Sequence, residues 1–321
     1  MHPGSNAPIF HRPSDCATFY TSAMNMLKLS FPGFRVWALA LALLGLQGCS
    51  SLAPEAYQPK LGQPGKDVMW LPTRDDLVTR MLETAKVTKD DVVYDLGAGD
   101  GKIPIAAATQ FGARAVGIEY NRDLAGLATR NSQRAGVADR VKIIHGDIFK
   151  EDFSSATVLT LYLLEELNFQ LRPLILKMRP GTRVLSNTFS MGDWEPDQVI
   201  SVNSSTGYFW TVPAQVGGTW TLSGMDSLSG TGGQKPVVLT LTQKYQRLAG
   251  TLRIGSATQA LLGATLQGQE LRFSFLNDAG DLKSVRLAVD GASLKGEVVG
   301  PYGMLEAPHK PVAVEGRRAP S

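Results

Sequence analysis

Glycines and acidic residues stand together where a predicted strand ends, and such a group can hold a ligand. The segment VVYDLGAGDG, residues 92–101, breaks a β-branched run into a glycine loop flanked by Asp95 and Asp100. Glycine lets a ligand approach the backbone closely because it has no side chain. Carboxylates repel anions and attract cations, so the loop favours a ligand that carries positive charge.

Two common phosphate-binding loops do not fit this segment. The dinucleotide fingerprint needs a small residue where Lys102 stands, and the phosphate loop needs glycine at Leu96 and a hydroxyl at Ile103. Phosphates bind helix N-termini because the bare N–H groups favour anions, whereas this loop has two nearby acids. The segment therefore indicates a ligand such as S-adenosyl-L-methionine, whose sulfonium and ammonium groups are cationic.

Alternating helices and strands would bring further site residues to the same edge of a sheet. The pattern predicts strands at 91–97, 114–120, 140–146, 156–163 and 182–189, with helices at about 102–111, 122–135 and 166–179. An earlier helix is predicted to begin at the capping box TRDD, residues 73–76. The fold class is therefore α/β, with a doubly wound, mostly parallel sheet that binds ligands at the carboxyl ends of its strands.

The chain beyond Gln198 changes to strand after strand, with turns at glycines. We assign QVISVNS and GYFWTVPA to the α/β domain, which then covers 67–214. Residues 215–307 are predicted to form a small antiparallel β module. The proline-rich tail at 308–321 is predicted to be disordered.

The N-terminal region has the features of an export signal. Lys28 and Arg35 precede an apolar core at 36–46, and LQGC resembles the lipobox of bacterial lipoproteins, in which the cysteine, here Cys49, is lipidated. We expect an over-extended start and a signal peptide at 1–48, then a tether anchored in the membrane at the periplasmic face. The tether is assigned to residues 49–66. The alternatives are an uncleaved anchor, a simple signal peptide, or a cytoplasmic product that starts at Met69.

The composition limits the class of partner. The chain has 321 residues, of which 43% are hydrophobic and 19% charged, as is typical of globular domains. A net charge of +3 is too small to indicate a nucleic-acid partner.

Two further acids end the second and third predicted strands. Glu119 lies 22 residues after Gly97, close to the distance at which an acid bonds ribose hydroxyls in nucleotide-binding βαβ units. Asp147 follows the third strand in IIHGD. Alone, Glu119 is typical of a solvated strand end and Asp147 of a helix cap. Together with the glycine loop they favour a cofactor site.

These motifs resemble those of class I S-adenosylmethionine-dependent methyltransferases: DLGAGDG, a glutamate ending strand two, and GDI after strand three. The resemblance covers about 68–213. It implies that Asp95 orders the cofactor's amino group, that Glu119 binds the ribose, and that residues after strand three hold the adenine. The residues expected to bind the cofactor are Thr73, Asp95, Gly97, Gly99, Asp100, Glu119, Asp147 and Ile148.

A narrower resemblance concerns the acceptor. WLPTRDDLVTRML, GDGKIPIAAA and RVLSNTFSMGDW are similar to segments of the protein-lysine methyltransferases that include the ATP synthase c-subunit enzyme and its bacterial relatives. This resemblance implies in-line transfer of a methyl group to a lysine of a protein, with membrane-associated proteins as candidates. The rival hypothesis is a non-catalytic, membrane-tethered binding lipoprotein that keeps the fold.

Tyr162 and Asn187 are the candidate catalytic residues because they end the fourth and fifth predicted strands, where the acceptor would lie. Both have structural alternatives: an aromatic residue in a central strand usually belongs to the core, and asparagine after a strand usually forms a turn. Trp194 is either part of the acceptor pocket or a loop anchor, whereas Trp210 and Trp220 are expected to be packing residues.

Overall fold

The structure is a computed structural model that describes residues 57–67, 69–225, 236–299 and 311–320. Tyr57–Ser321 form one compact unit. The predicted signal peptide and the lipidation site Cys49 lie outside the described residues. Within those ranges, none of the helices combines the length and apolar character needed to span a membrane.

The α/β domain is built on a seven-stranded sheet. Its five parallel strands are β1 (Val92–Leu96), β2 (Arg114–Glu119), β3 (Val141–His145), β4 (Val158–Leu161) and β5 (Arg183–Asn187). Two antiparallel strands, β6 (Gln198–Val202) and β7 (Ser205–Thr211), complete the order β3-β2-β1-β4-β5-β7-β6. The helices are α1 (Asp75–Thr84), α2 (Lys102–Phe111), α3 (Arg122–Arg134) and α4 (Glu165–Ile175). This architecture confirms the predicted doubly wound, mostly parallel sheet.

Apolar residues cover both faces of this sheet, because successive side chains of a strand point to opposite faces. Val158 and Leu185 pack in one core cluster with the buried residues of α1 and α2. Leu159 and Val184, their chain neighbours, pack in a second cluster with α4. Burying one such side chain stabilises the fold by about 1.5–3 kcal/mol. The order of strands reverses between β1 and β4, so the crevice for a ligand lies at the carboxyl ends of these strands.

The predicted capping box of the first helix is wrong. The N-cap of α1 is Arg74, and no side-chain hydrogen bond caps the helix. Thr73 is buried instead, and its Oγ1 accepts a hydrogen bond from Asn187 Nδ2 at 3.2 Å. A tertiary partner at the end of β5 has therefore taken the side chain that the local pattern assigned to the cap.

The described part of the predicted tether is not an extended linker, because residues 62–64 pair with residues 69 and 70 and Lys66 pairs with Asp147 of the domain. Gly62 N donates to Trp70 O at 3.0 Å, Trp70 N donates to Gln63 O at 2.9 Å, and an antiparallel bridge joins Pro64 to Met69. Residues 57–67, 69 and 70 together make up the N-terminal flap.

The C-terminal part forms the predicted antiparallel module. Its strands are β8 (Gly218–Ser223), β9 (Val237–Lys244), β10 (Arg247–Ile254), β11 (Ala257–Ala260), β12 (Leu262–Gln267), β13 (Glu270–Leu276), β14 (Leu282–Asp290), β15 (Ser293–Val299) and β16 (Val312–Arg318). They follow the order β11-β10-β12-β13-β14-β15-β16-β8-β9, and pairing of β9 with β10 closes the sheet on itself. Alternate residues such as Trp220, Leu239 and Phe273 fill the interior.

The predicted disorder of the tail is wrong for residues 312–318, which form β16 between β15 and β8. Val314 is buried in the module's core, and the Arg318 guanidinium lies 4.3 Å from the centre of the Trp220 ring. The tail's proline and arginine content concealed an apolar alternation that supplies the strand needed to close the sheet.

Candidate cofactor and acceptor site

The glycine loop between β1 and α2 is held in left-handed backbone conformations. Gly97 and Gly99 have φ of 85° and 56°. A Cβ would lie 3.1 Å from Leu163 Cδ2 at Gly97, and 2.7 Å from Trp70 Nε1 at Gly99. Gly97 N and Ala98 N both donate to Ile118 O, at 2.9 and 3.0 Å. The loop is therefore fixed to the end of β2, and its close-packed backbone requires glycine.

Glu119 lies directly against this loop. Its Oε2 accepts a hydrogen bond from Gly99 N at 2.8 Å, and its Oε1 accepts one from Asn121 N at 2.8 Å. Burial raises the pKa of the carboxyl group. Each carboxylate oxygen can accept a second hydrogen bond, so the group fits a pair of ribose hydroxyls.

Asp95 is the most deeply buried acid of the site. Burial raises its pKa to about 7; the hydrogen bond from Thr160 Oγ1, at 2.6 Å, opposes this shift, and the charges of Glu119 and Asp100 add to it. Burial also raises the pKa of Asp100. Three crowded carboxyl groups repel one another, so a bound cation such as an ammonium group would stabilise their ionised forms.

Asp147 and Ile148 follow β3, beside the end of β2. Asp147 Oδ1 accepts a hydrogen bond from Phe149 N at 3.0 Å, and its Oδ2 pairs with Lys66 Nζ at 3.1 Å; both contacts lower its pKa. The Lys66 ammonium also lies 5.1 Å from the centre of the Tyr120 ring. The N-terminal flap therefore covers the end of the crevice where the resemblance implies the adenine.

Most of the residues predicted to bind the cofactor thus lie at the same edge of the sheet. The ends of β1, β2 and β3 carry Asp95, Gly97, Gly99, Asp100, Glu119, Asp147 and Ile148. Thr73 differs, since it bonds to Asn187 at the end of β5. Trp70, three residues earlier, is the flap residue that packs on Gly99. Sequence reasoning missed it, although it begins the quoted segment WLPT.

The candidate catalytic residues lie at the ends of β4 and β5. The Tyr162 ring is 6.5 Å from the Phe189 ring, centre to centre. Asn187 is buried; its Oδ1 accepts from Thr188 Oγ1 at 2.9 Å, while its Nδ2 is occupied by Thr73. Thr188 has φ of 67°, a strained value for a β-branched residue. The two residues therefore border the crevice from the side opposite Glu119.

Trp194, Trp210 and Trp220 are buried packing residues. Trp194 is fully buried and donates its Nε1 hydrogen to Gln246 Oε1 at 3.0 Å, which makes it a loop anchor. Trp210 and Trp220 are also fully buried and donate to backbone oxygens, as expected for packing residues.

Glycine loop, buried acids and sheet order together define a class I S-adenosylmethionine-dependent methyltransferase site. Residues 95–198 match the family model described as the ANTKMT methyltransferase domain. The chain is 46% identical over 137 residues to a protein-lysine N-methyltransferase of Saccharolobus islandicus, covering 42% of this chain and 85% of that protein. It therefore belongs to this family of S-adenosylmethionine-dependent methyltransferases.

Two other similar proteins extend the comparison. The lysine N-methyltransferase that acts on the ATP synthase c-subunit in Xenopus laevis is 27% identical over 185 residues, which are 57% of this chain and 80% of that protein. A solved RNA methyltransferase of Salinibacter ruber, in complex with S-adenosyl-L-homocysteine, is 49% identical and covers 46% of this chain and 96% of its own, with a TM-score of 0.45.

Proposed function

We propose that the protein transfers a methyl group from S-adenosylmethionine to the side-chain amine of a lysine in a protein substrate. The observation that carries this proposal is the 46% identity with a protein-lysine N-methyltransferase, which extends over 85% of that relative. The relative from Xenopus laevis, a lysine N-methyltransferase, also supports a lysine acceptor.

Some residues of the site would bind the cofactor, and others would border the acceptor. When bound, S-adenosylmethionine supplies an electrophilic methyl group on a sulfonium. Asp95 would hold its cationic amino group, and Glu119 would hold its ribose hydroxyls. Fixing these two ends would orient the reacting carbon, and such positioning contributes on the order of 7–11 kcal/mol to a displacement reaction.

A lysine must lose its proton before its nitrogen can attack. The buried carboxylates of the site favour the ammonium form, since an opposite charge raises the pKa of an amine. The rings of Tyr162 and Phe189 act in the other direction, because an apolar wall disfavours the charged amine. We therefore assign Tyr162 to the wall beside the acceptor. We assign Asn187 a positioning role, because its hydrogen bond to Thr73 fixes the end of β5 next to that wall.

A labelled-methyl experiment tests the acceptor. The purified protein is incubated with a membrane extract and methyl-labelled S-adenosylmethionine, and the products are hydrolysed and separated. We expect labelled N-methyllysine with the wild-type protein and none with Glu119→Ala. Label on RNA, on small molecules or on another amino acid would contradict the lysine acceptor. Binding of cofactor without any turnover would favour the rival, a non-catalytic binding lipoprotein.

We also propose that the protein is anchored in the membrane through a lipid on Cys49 and faces the periplasm. Basic residues, an apolar core, a small residue and a lone downstream cysteine agree with one another in this region. The flap adds support. A product that started at Met69 would lose Lys66 and the Pro64 side of the bridge, and with them part of the cover over the cofactor crevice.

Fractionation with a fatty-acid probe tests this location. We expect a lipid-labelled membrane form that disappears in Cys49→Ala. A single soluble, unlabelled species beginning at Met69 would contradict export and favour the cytoplasm, where S-adenosylmethionine is made.

A further inference from the structure

The hairpin of β9 and β10 reaches from the β module to the α/β domain. Its two strands pair up to Lys244 and Arg247, so Tyr245 and Gln246 form a two-residue turn. Tyr245 has φ of 54°, as such turns require. The turn lies against residues 188–197, named the post-β5 loop here.

Gln246 makes the central contacts. Its Oε1 accepts a hydrogen bond from Trp194 Nε1 at 3.0 Å. Its Nε2 donates to Glu195 O at 2.7 Å and to Asp197 Oδ1 at 3.1 Å. One side chain of the module therefore satisfies three groups of the post-β5 loop.

The other residues of the turn surround this contact. Tyr245 donates its hydroxyl hydrogen to Asp193 Oδ1 at 3.0 Å, and its ring stacks on Trp194 with the centres 6.0 Å apart. Lys244 Nζ pairs with Asp193 Oδ2 at 3.1 Å, and Arg247 pairs with Glu195. The loop is thus held by apolar, hydrogen-bonded and ionic contacts from a single hairpin.

The opposite side of the same loop meets the acceptor end of the crevice. Phe189 contacts the Tyr162 ring, and Ser190 Oγ donates to Glu165 Oε1 at 2.7 Å. Arg172 donates to Met191 O at 2.6 Å. The post-β5 loop is therefore clamped between the hairpin and the residues that border the acceptor position.

We infer that the hairpin end is a positioning element for the methyl acceptor, with Gln246 as its central residue. By fixing the post-β5 loop, the hairpin end holds Phe189 beside Tyr162, where the acceptor side chain must enter. The family model ends at residue 198, before the module begins, so this element lies beyond the matched methyltransferase domain. The inference rests on the proposed function only in taking the acceptor to be a lysine.

Gln246→Ala tests the inference, with Gln259→Ala as the matched control. Gln246 makes three hydrogen bonds to the post-β5 loop, whereas Gln259 makes two, donating to Leu276 O at 2.7 Å and accepting from Leu276 N at 2.9 Å, and both lie within the module. The measurements are hydrogen–deuterium exchange, the affinity for S-adenosylhomocysteine, and methyl transfer to poly-L-lysine in the full chain.

We expect faster exchange in residues 188–197 of Gln246→Ala and an unchanged affinity for S-adenosylhomocysteine. The KM for poly-L-lysine should rise on the order of tenfold while kcat changes little, because three hydrogen bonds to the loop are lost. Gln246→Glu replaces the donating amide by a carboxylate that faces Glu195 O and Asp197 Oδ1, so repulsion should raise its KM at least as much as in Gln246→Ala. Gln259→Ala should behave as wild type in all three measurements.

Four results separate the outcomes. Unchanged exchange in the post-β5 loop, or faster exchange with an unchanged KM, would overturn the positioning role. A loss of S-adenosylhomocysteine affinity as large as the rise in KM would also overturn it, since the effect would then reach the whole domain. If the wild-type protein transfers nothing to poly-L-lysine and the membrane extract gives no labelled N-methyllysine, the lysine proposal fails, whereas the exchange rates of residues 188–197 still decide whether the hairpin fixes the loop.

Discussion

The buried carboxyl group of Asp95 destabilises the cofactor-free protein at neutral pH, and we expect the same group to bind the cofactor. Burial raises the pKa of its carboxyl group from the ordinary value of 3.8 to about 7. Between these two values the folded state binds more protons than the unfolded state, so stability falls as the pH rises. The loss of stability from burying the ionised carboxylate is small near pH 4 and complete above pH 7. The difference between the two pKa values corresponds to roughly 4 kcal/mol.

Asp95→Asn removes this loss of stability, because the amide has the same shape and can still accept the Thr160 hydrogen bond. Relative to wild type, the cofactor-free variant should gain up to about 4 kcal/mol in its free energy of unfolding at pH 8 and little near pH 4. Urea denaturation across this pH range measures the gain. Calorimetry at pH 8 should show weaker S-adenosylhomocysteine binding, by about 1.5–3 kcal/mol. Equal stabilities at pH 8, or a larger gap at pH 5 than at pH 8, would refute the reasoning.

Three other substitutions test neighbouring parts of the site. Glu119→Gln should weaken S-adenosylhomocysteine binding by about 1.5–3 kcal/mol, measured by calorimetry, because a charged acceptor is lost; unchanged affinity would remove it from the site. Gly99→Ala adds a Cβ 2.7 Å from an indole nitrogen, whereas Gly136→Ala, at φ of 69°, meets nothing within 4 Å. Both should lose about 1–2 kcal/mol in urea denaturation, and the first more than the second; equal losses would contradict the packing argument. Lys66→Ala frees Asp147 from its ion pair and should tighten S-adenosylhomocysteine binding slightly, with Lys66→Arg unchanged; weaker binding would mean that the lysine contacts the cofactor.

Local sequence patterns were sufficient for the parts of the fold that depend on nearby residues. The helix from Lys102 to Phe111 has the predicted bounds, and the parallel strands agree within a few residues. Once those strands are parallel, Asp95, Glu119 and Asp147 must meet at one edge. The glycine loop was recognisable because left-handed backbone and close packing both select glycine.

The features that sequence analysis missed depend on partners that lie far apart along the chain. Thr73 bonds to Asn187, 114 positions away, so its use as a helix cap was ruled out by a contact that no local pattern contains. Trp194 and Gln246 are 52 positions apart. The flap and β16 are similar cases, since a short polar or proline-rich segment becomes ordered only through its tertiary neighbours.

A structure of the protein bound to S-adenosylhomocysteine tests the central claim most directly. We predict that the ribose hydroxyls lie within hydrogen-bond distance of the Glu119 carboxylate, that the amino group faces Asp95, and that the sulfur points toward Tyr162 and the post-β5 loop. A ligand bound elsewhere, or one whose sulfur faces away from the ends of β4 and β5, would contradict the account.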